Sequence, residues 1–300
     1  MEFTVVYSTS RIDPKFNWFI DSIAPQLGDE HCVDVILVNL HCEKERCWTL
    51  NPEFHGRSHR INIIETPPKP TVWQGKHRVT SCDWWAASNA RNTGICLCQT
   101  KLISFIDDRS FVGPNWVNSL VRSHVGGYSV FGSYQKRMNM VDGDINSGVI
   151  MGEDHRIKVS GGSLMKCAGQ GLFTCNIGMQ LEWLLEVNGF EELCDSLSGE
   201  DSILGKMMEN RGYAMMFDPN FYMVEDRTDV SSCAKRTDKG VSPNDKSHAA
   251  LARFGRLNRT EHPWDLREIR DHVLAGGDWP SVSAFPKNDW YDGQPICEFK

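Results

Sequence analysis

Apolar residues recur along the first third of the chain with two different periods. "FTVVYS" (3–8), "VDVILVNL" (33–40) and "INIIE" (61–65) are short, nearly continuous and rich in Val and Ile, the pattern of strands covered on both faces. Between the first two, Phe16, Phe19, Ile20, Ile23 and Leu27 fall at helical spacing, with Asp13 as the expected N-cap and Pro14 at the first helical position. The prolines of "TPPKP" stop the third strand, and a helix over roughly 83–92 leads to a fourth strand, "LISFID". Strand, helix, strand repetition predicts a largely parallel, doubly wound sheet whose ligands sit at the carboxyl ends of its strands.

After Pro114 the pattern loosens. "NWVNSLVRS" predicts a helix, "GYSVFGSYQK" (127–136) an antiparallel strand, and the polar, glycine-rich stretch from about 142 to 171 a loop-rich region. Two further helices are expected, one around 179–187 stopped by Asn188-Gly189 and one from about Glu200 to Asn210 stopped by Arg211-Gly212. "YAMMFD" and "FYMVE" predict two short strands, and the final 75 residues polar loops, a helix near 246–257 and an aromatic tail. No internal repeat or low-complexity linker interrupts the chain, so one compact unit with a C-terminal extension is expected.

Composition narrows the class. At 300 residues and 40% apolar content a full α/β core is attainable. The formal charge of -7, with acids and bases mixed throughout, provides no basic stripe for a phosphate backbone, so nucleic acid is disfavoured as a partner. No apolar run approaches the roughly 18 residues of a membrane span, and the N-terminus lacks the features of a secretory signal, so a cytoplasmic location is expected. The 11 cysteines are spread thinly and are expected to be reduced. His31, Cys32, His41, Cys42 and Cys47 lack the paired spacing of a structural zinc site.

Four constellations could carry chemistry. Asp107 and Asp108 end the fourth strand: two adjacent carboxylates there call for a cation or ligand hydroxyls, or else merely cap the turn from Ser110 to Pro114. Glu200 and Asp201 open a helix, where the dipole is expected to keep them ionised; they are a general base with its supporting acid, or plain helix stabilisers. Lys69, Lys76, His77, Arg78 and Arg91 accompany Trp73, Trp84 and Trp85, which suits an anionic, ring-bearing ligand or a solvated basic face over a tryptophan-rich core. His248 is a helix cap, a surface residue or, if a metal is required, a ligand.

Taken in order, "FTVVYSTS", "VILVNL", "ASNARNTGI" (87–95), "FIDDRSFVGPNW" and "NGFEE…SGEDS" resemble the inverting glycosyltransferases of family 2. The resemblance spans residues 3 to about 225. It implies the GT-A fold: a Rossmann-like nucleotide-binding mixed sheet flanked by helices, with an acceptor-side subdomain and a C-terminal extension. Residues 1–112 would be the nucleotide-sugar half, 113–225 the sugar and acceptor half, and 226–300 an extension or lid. Carried over, Asp201 is the catalytic base supported by Glu200. Ser8, Thr9, Arg11, Asn39, Arg78, Arg91, Asp107, Asp108 and Arg109 bind the nucleotide donor, Met179 and Trp183 line the sugar and acceptor site, and Asp107, Asp108 and His248 hold a divalent cation, Mn2+ or Mg2+. The implied donor is a nucleoside-diphosphate sugar, with a UDP-sugar favoured, and the acceptor a glycan or other hydroxyl, a modified nucleic-acid base included. Two positions depart from the family pattern: Asn39 stands where an acid is common, and Arg109 takes the third position of the acid triplet. Both departures leave room for a binding module of the same fold that does not turn over. A nucleotidyltransferase would need a glycine-rich loop after the first strand, which "YSTSRIDP" is not.

Overall fold

The computed structural model describes residues 1–43, 60–70, 87–142, 144–192, 199–228, 251, 254–260 and 264–279. Its parallel half comprises β1 (Glu2–Thr9), α1 (Phe16–Ile23), β2 (Cys32–Asn39), β3 (Ile61–Thr66), α2 (Ala87–Leu97) and β4 (Leu102–Asp107). The short β5 (Ser110–Val112), α3 (Trp116–Gly126), β6 (Ser129–Met138), β7 (Val149–Glu153), α4 (Arg156–Ser160) and β8 (Met165–Lys166) follow. The chain continues through β9 (Asn176–Gln180), α5 (Leu181–Glu186), α6 (Glu200–Asn210), β10 (Met215–Asp226) and α7 (Leu266–Leu274).

All ten strands form one sheet, ordered β3-β2-β1-β4-β9-β6-β10-β5, with β7 paired to β6 and β8 to β10. The first four run parallel; β9 is antiparallel to β4 and β6, and β6 is parallel to β10. Because side chains alternate across a strand, Val6, Ile36, Val38, Ile103 and Phe105 enter the core layer that contains residues of α2, α5, α6 and α7. Phe3, Val5, Tyr7, Val35 and Leu37 enter the opposite layer with residues of α1 and α3. Burial on both faces explains why the β1 and β2 sequences show no polar alternation.

Several local expectations change. Asp13 does not cap α1: the helix starts at Phe16 after Lys15, which is left-handed at φ 54°, and Asp13 Oδ1 instead accepts from the Lys15 N–H at 3.3 Å in an Asx turn. The strands expected at "YAMMFD" and "FYMVE" are one strand, β10, which passes Pro219 by a register shift between Asp218 and Tyr222. The loop-rich stretch holds β7, α4 and β8. Helix α7 was not expected; Asp265 caps it by accepting from the Arg267 N–H at 2.8 Å, and it packs on α2. The helix expected at 246–257 lies mostly outside the described residues. No described helix is long and apolar enough to cross a membrane.

Candidate functional site

The carboxyl ends of β1 and β4 are adjacent, with Ser8 opposite Asp107 in the parallel register. Beside them opens a cavity of about 320 Å³. Its walls come from the β1 end (Ser8, Ser10, Arg11), the start of α2 (Ala87, Arg91), the β4 end (Asp107, Asp108) and the start of α6 (Glu200, Asp201). The remaining walls are Tyr134 and Lys136 of β6, the run Phe173–Thr174–Cys175, and Glu225 and Arg227 at the end of β10. Five carboxylates (Asp107, Asp108, Glu200, Asp201, Glu225) thus share the space with four cations (Arg11, Arg91, Lys136, Arg227).

Arg91 joins the two acid pairs that are far apart in sequence. Buried on α2, it donates from Nη1 to Glu200 Oε1 at 2.7 Å and from Nη2 to Asp107 Oδ1 at 3.2 Å. Glu200 Oε2 is buried with no hydrogen-bond partner among the described residues. Asp108 is held differently: Thr9 Oγ1 donates to its Oδ2 at 2.5 Å, and Arg11 Nε lies 3.4 Å from the same oxygen. Burial nevertheless pushes the Asp108 carboxyl up to about 6, against the pull of Arg11 and the Thr9 bond.

Asp201 receives the N–H of Ser202 on Oδ1 at 2.7 Å. Burial, reinforced by the Glu200 charge, pushes it up to about 7. The helix start therefore does not hold Asp201 at an ordinary carboxylate value; loss of water outweighs the N-terminal dipole. Such a group is poised to exchange a proton near neutrality. Cys175, also on the wall, is pushed well above its ordinary range by burial and by Asp107, so it remains a thiol.

Several expected site residues stand elsewhere. Arg109 does not line the cavity: its guanidinium pairs with Asp226, and its backbone, left-handed at φ 55°, donates from N to Pro14 O and to the Tyr7 hydroxyl, both at 2.8 Å. Asn39 closes a local network, donating to Glu65 Oε1 at 2.9 Å and accepting from the His41 N–H, and is likewise off the cavity wall. Met179 is fully buried in the core, because its β9 position opposite Ile103 points into the helical layer. Trp183 stacks on Tyr213 at 4.7 Å and packs against that core. Thr9 sits behind the wall, bonded to Asp108. Arg78 and His248 lie outside the described residues, as do Trp73, Lys76, His77, Trp84 and Trp85.

Lys69 is off the cavity too. It is buried over the Trp264 ring at 3.7 Å and donates to Glu192 Oε1 at 2.7 Å and Asn89 Oδ1 at 2.9 Å, which makes it part of the packing that docks the C-terminal segment. Of the wall, sequence reasoning missed Ser10, Ala87, Tyr134, Lys136, the run Phe173–Thr174–Cys175, Glu225 and Arg227. The one available signal was "MVEDR", a second apolar strand that ends in acids.

The mixed sheet flanked by helices is the GT-A fold of the solved structures to which the chain is similar. Among solved structures the chain is similar to S. aureus TarS 1–349 in complex with UDP-GlcNAc, at TM-score 0.56 and 13% identity over 92% of this chain and 71% of that one. The same TarS segment with UDP matches at TM-score 0.52 and 11% identity, over 92% and 70%. Against a longer TarS structure the match has TM-score 0.51 and 12% identity and covers 42% of that chain. No protein-family model matches the sequence, and no curated protein does.

Proposed function

We propose that the protein is an inverting glycosyltransferase that moves a sugar from a nucleoside-diphosphate donor to an acceptor hydroxyl. The observation that carries this reading is the Asp107–Arg91–Glu200 bridge, which sets the strand-end acids and the Asp201 helix start on one cavity. UDP-GlcNAc and UDP in the similar TarS structures support a UDP-sugar as donor. Asp201 takes the proton of the acceptor hydroxyl, whose oxygen attacks the anomeric carbon from the face opposite the leaving nucleoside diphosphate, so one bond forms as the other breaks. Arg11 and Arg91 stabilise the negative charge that grows on the leaving group.

A divalent cation fits the donor chemistry here, since hard oxygen ligands of one or two carboxylates plus substrate phosphates suffice for Mg2+ or Mn2+. Among the described residues no three His, Cys, Asp or Glu side chains form a cation cage, so Asp107 and Asp108 would hold it together with the diphosphate. Bound there, it would neutralise charge on the leaving group. The test is UDP release from UDP-sugars by the wild type and Asp201→Asn, with and without MnCl2. Turnover that Asp201→Asn lowers about 10³-fold is expected; turnover equal in both proteins overturns the assignment of the base.

A further inference from the structure

The transfer chemistry leaves one buried acid of the cavity unused. Past Asp107 the chain turns into β5, where Ser110 lies opposite Glu225 and Phe111 opposite Val224, and the Asp226 N–H donates to Arg109 O at 2.9 Å. Two acid-acid-arginine triplets, Asp107-Asp108-Arg109 and Glu225-Asp226-Arg227, thus meet at the end of this antiparallel pairing, joined by the Asp226–Arg109 backbone bond. Strand alternation separates their side chains: Glu225 and Arg227 line the cavity, while Asp226 between them takes the Arg109 guanidinium on the other side.

Glu225 has a 4% exposed side chain and, among the described residues, one side-chain partner, Arg227 Nη1, which donates to its Oε1 at 2.6 Å. Its strand neighbour on β6 is Lys136, and Tyr134 and Phe173, packed edge to face at 5.9 Å, line the same end of the cavity. Burial raises the Glu225 carboxyl above its ordinary range, and the Asp107 charge adds to that. Glu225 Oε2 has no hydrogen-bond partner among the described residues and is not sealed off from the cavity, so a donor that enters the cavity can reach it. An ionised phosphate oxygen has no hydrogen to give the carboxylate, whereas a hydroxyl supplies the donor at no charge, and aromatic walls suit the apolar face of a ring.

We infer that Glu225, oriented by Arg227, accepts a hydrogen bond from a hydroxyl of the sugar being transferred and so takes part in choosing the donor sugar. The donor rather than the acceptor is assigned because β5 ties Glu225 to the Asp107 turn on the diphosphate side, and not to the Asp201 helix. The inference rests on the proposed function. A carboxylate that reads a buried hydroxyl separates sugars more sharply than an apolar wall can, since the wrong sugar leaves the acid unpaired.

The test measures Kd by calorimetry for UDP and for UDP-GlcNAc, UDP-glucose and UDP-galactose, using wild type, Glu225→Gln and Glu225→Ala; thermal melts confirm folding. For the tightest UDP-sugar, the ratio of its Kd to that of UDP is expected to rise about tenfold in Glu225→Ala and less in Glu225→Gln. Equal weakening of UDP and UDP-sugar overturns the inference and moves Glu225 to the nucleotide; unchanged binding with slower transfer moves it to the acceptor and overturns it as well. A wild type that binds neither UDP nor any UDP-sugar removes the functional reading and this inference together, whereas tight wild-type binding with no change in ratio removes the inference alone.

Discussion

Replacing Arg109 by methionine tests whether this residue belongs to the site or to the frame around it. Arg109 and Asp226 are both buried, and the pair ties the turn after β4 to the end of β10. Removing one partner of a buried ion pair typically destabilises by about 3–5 kcal/mol, because the other charge stays in a poor solvent. Asp226 would keep hydrogen bonds from the Thr228 N–H and hydroxyl, and methionine preserves the non-glycine cost of the left-handed backbone at φ 55°, so the lower end applies: about 3 kcal/mol. At about 2 °C per kcal/mol for a chain of this size, Tm falls by about 6 °C.

The pH dependence has a definite sign. Burial alone would raise Asp226, but the Arg109 and Thr228 bonds outweigh it and hold the carboxyl below its ordinary value. The stability from this pair is therefore present above an ordinary carboxylate pKa of about 4 and is lost as pH falls through the lower folded value. The Tm gap between wild type and Arg109→Met should be full at pH 7 and shrink below pH 4. Differential scanning calorimetry of both singles and the double variant with Asp226→Asn closes the cycle, in which the double should lose less than the sum. An unchanged Tm with at least tenfold weaker UDP binding would refute this reasoning and return Arg109 to the donor site.

Asp201→Asn should lower kcat about 10³-fold, within the usual range for loss of a general base, as read by UDP release. In the wild type the base acts ionised, so activity should fall as pH drops through about 7, where burial and Glu200 place the Asp201 carboxyl, and Asp201→Asn should lose that limb. Asn188→Ala should lower the unfolding free energy read from urea titration by about 2–3 kcal/mol: Asn188, left-handed at φ 61°, accepts from the Leu266 N–H at 2.7 Å and donates to Trp264 O at 2.9 Å, docking the C-terminal segment. Asn188→Gly should recover only the backbone part.

What the sequence reveals follows from the range of the interactions. β4 appears at its predicted bounds because a continuous apolar run meets charges at Asp107, and α6 because apolar spacing lies between Gly199 and Gly212. Helix α7 was hidden because its stripe of Leu266, Ile269 and Val273 is short and set among charges, where only docking on α2 makes it stable. Met179 is expected at the start of a helix and carried to the site by the resemblance; it lies instead in β9, the helix begins at Leu181, and the register against β4 turns Met179 into the core. Glu225 and Arg227 reach the cavity because β10 lies between β6 and β5, with Glu225 opposite Lys136 on one side and Ser110 on the other, pairings that no local pattern shows.

The cavity's charge balance links donor binding to protons. Five carboxylates already share the space with four cations, and Asp108 is raised to about 6 and Asp201 to about 7. A diphosphate arriving beside them adds negative charge, which favours the protonated form of each and drives both values further up. Near pH 7.5, where the phosphate of UDP, with its pKa of about 6, is already ionised in solution, the nucleotide should therefore bind with uptake of protons. A divalent cation bound with it acts in the opposite sense on the nearest carboxylates, so uptake should shrink when MnCl2 is present. Calorimetric titration of UDP in two buffers of different ionisation enthalpy measures the linked protons directly. Uptake without metal and less with it fits a cation between the aspartates and the diphosphate. Uptake that MnCl2 leaves unchanged means that Arg11 and Arg91 neutralise the donor alone, with Asp108 acting as a proton acceptor rather than as a ligand.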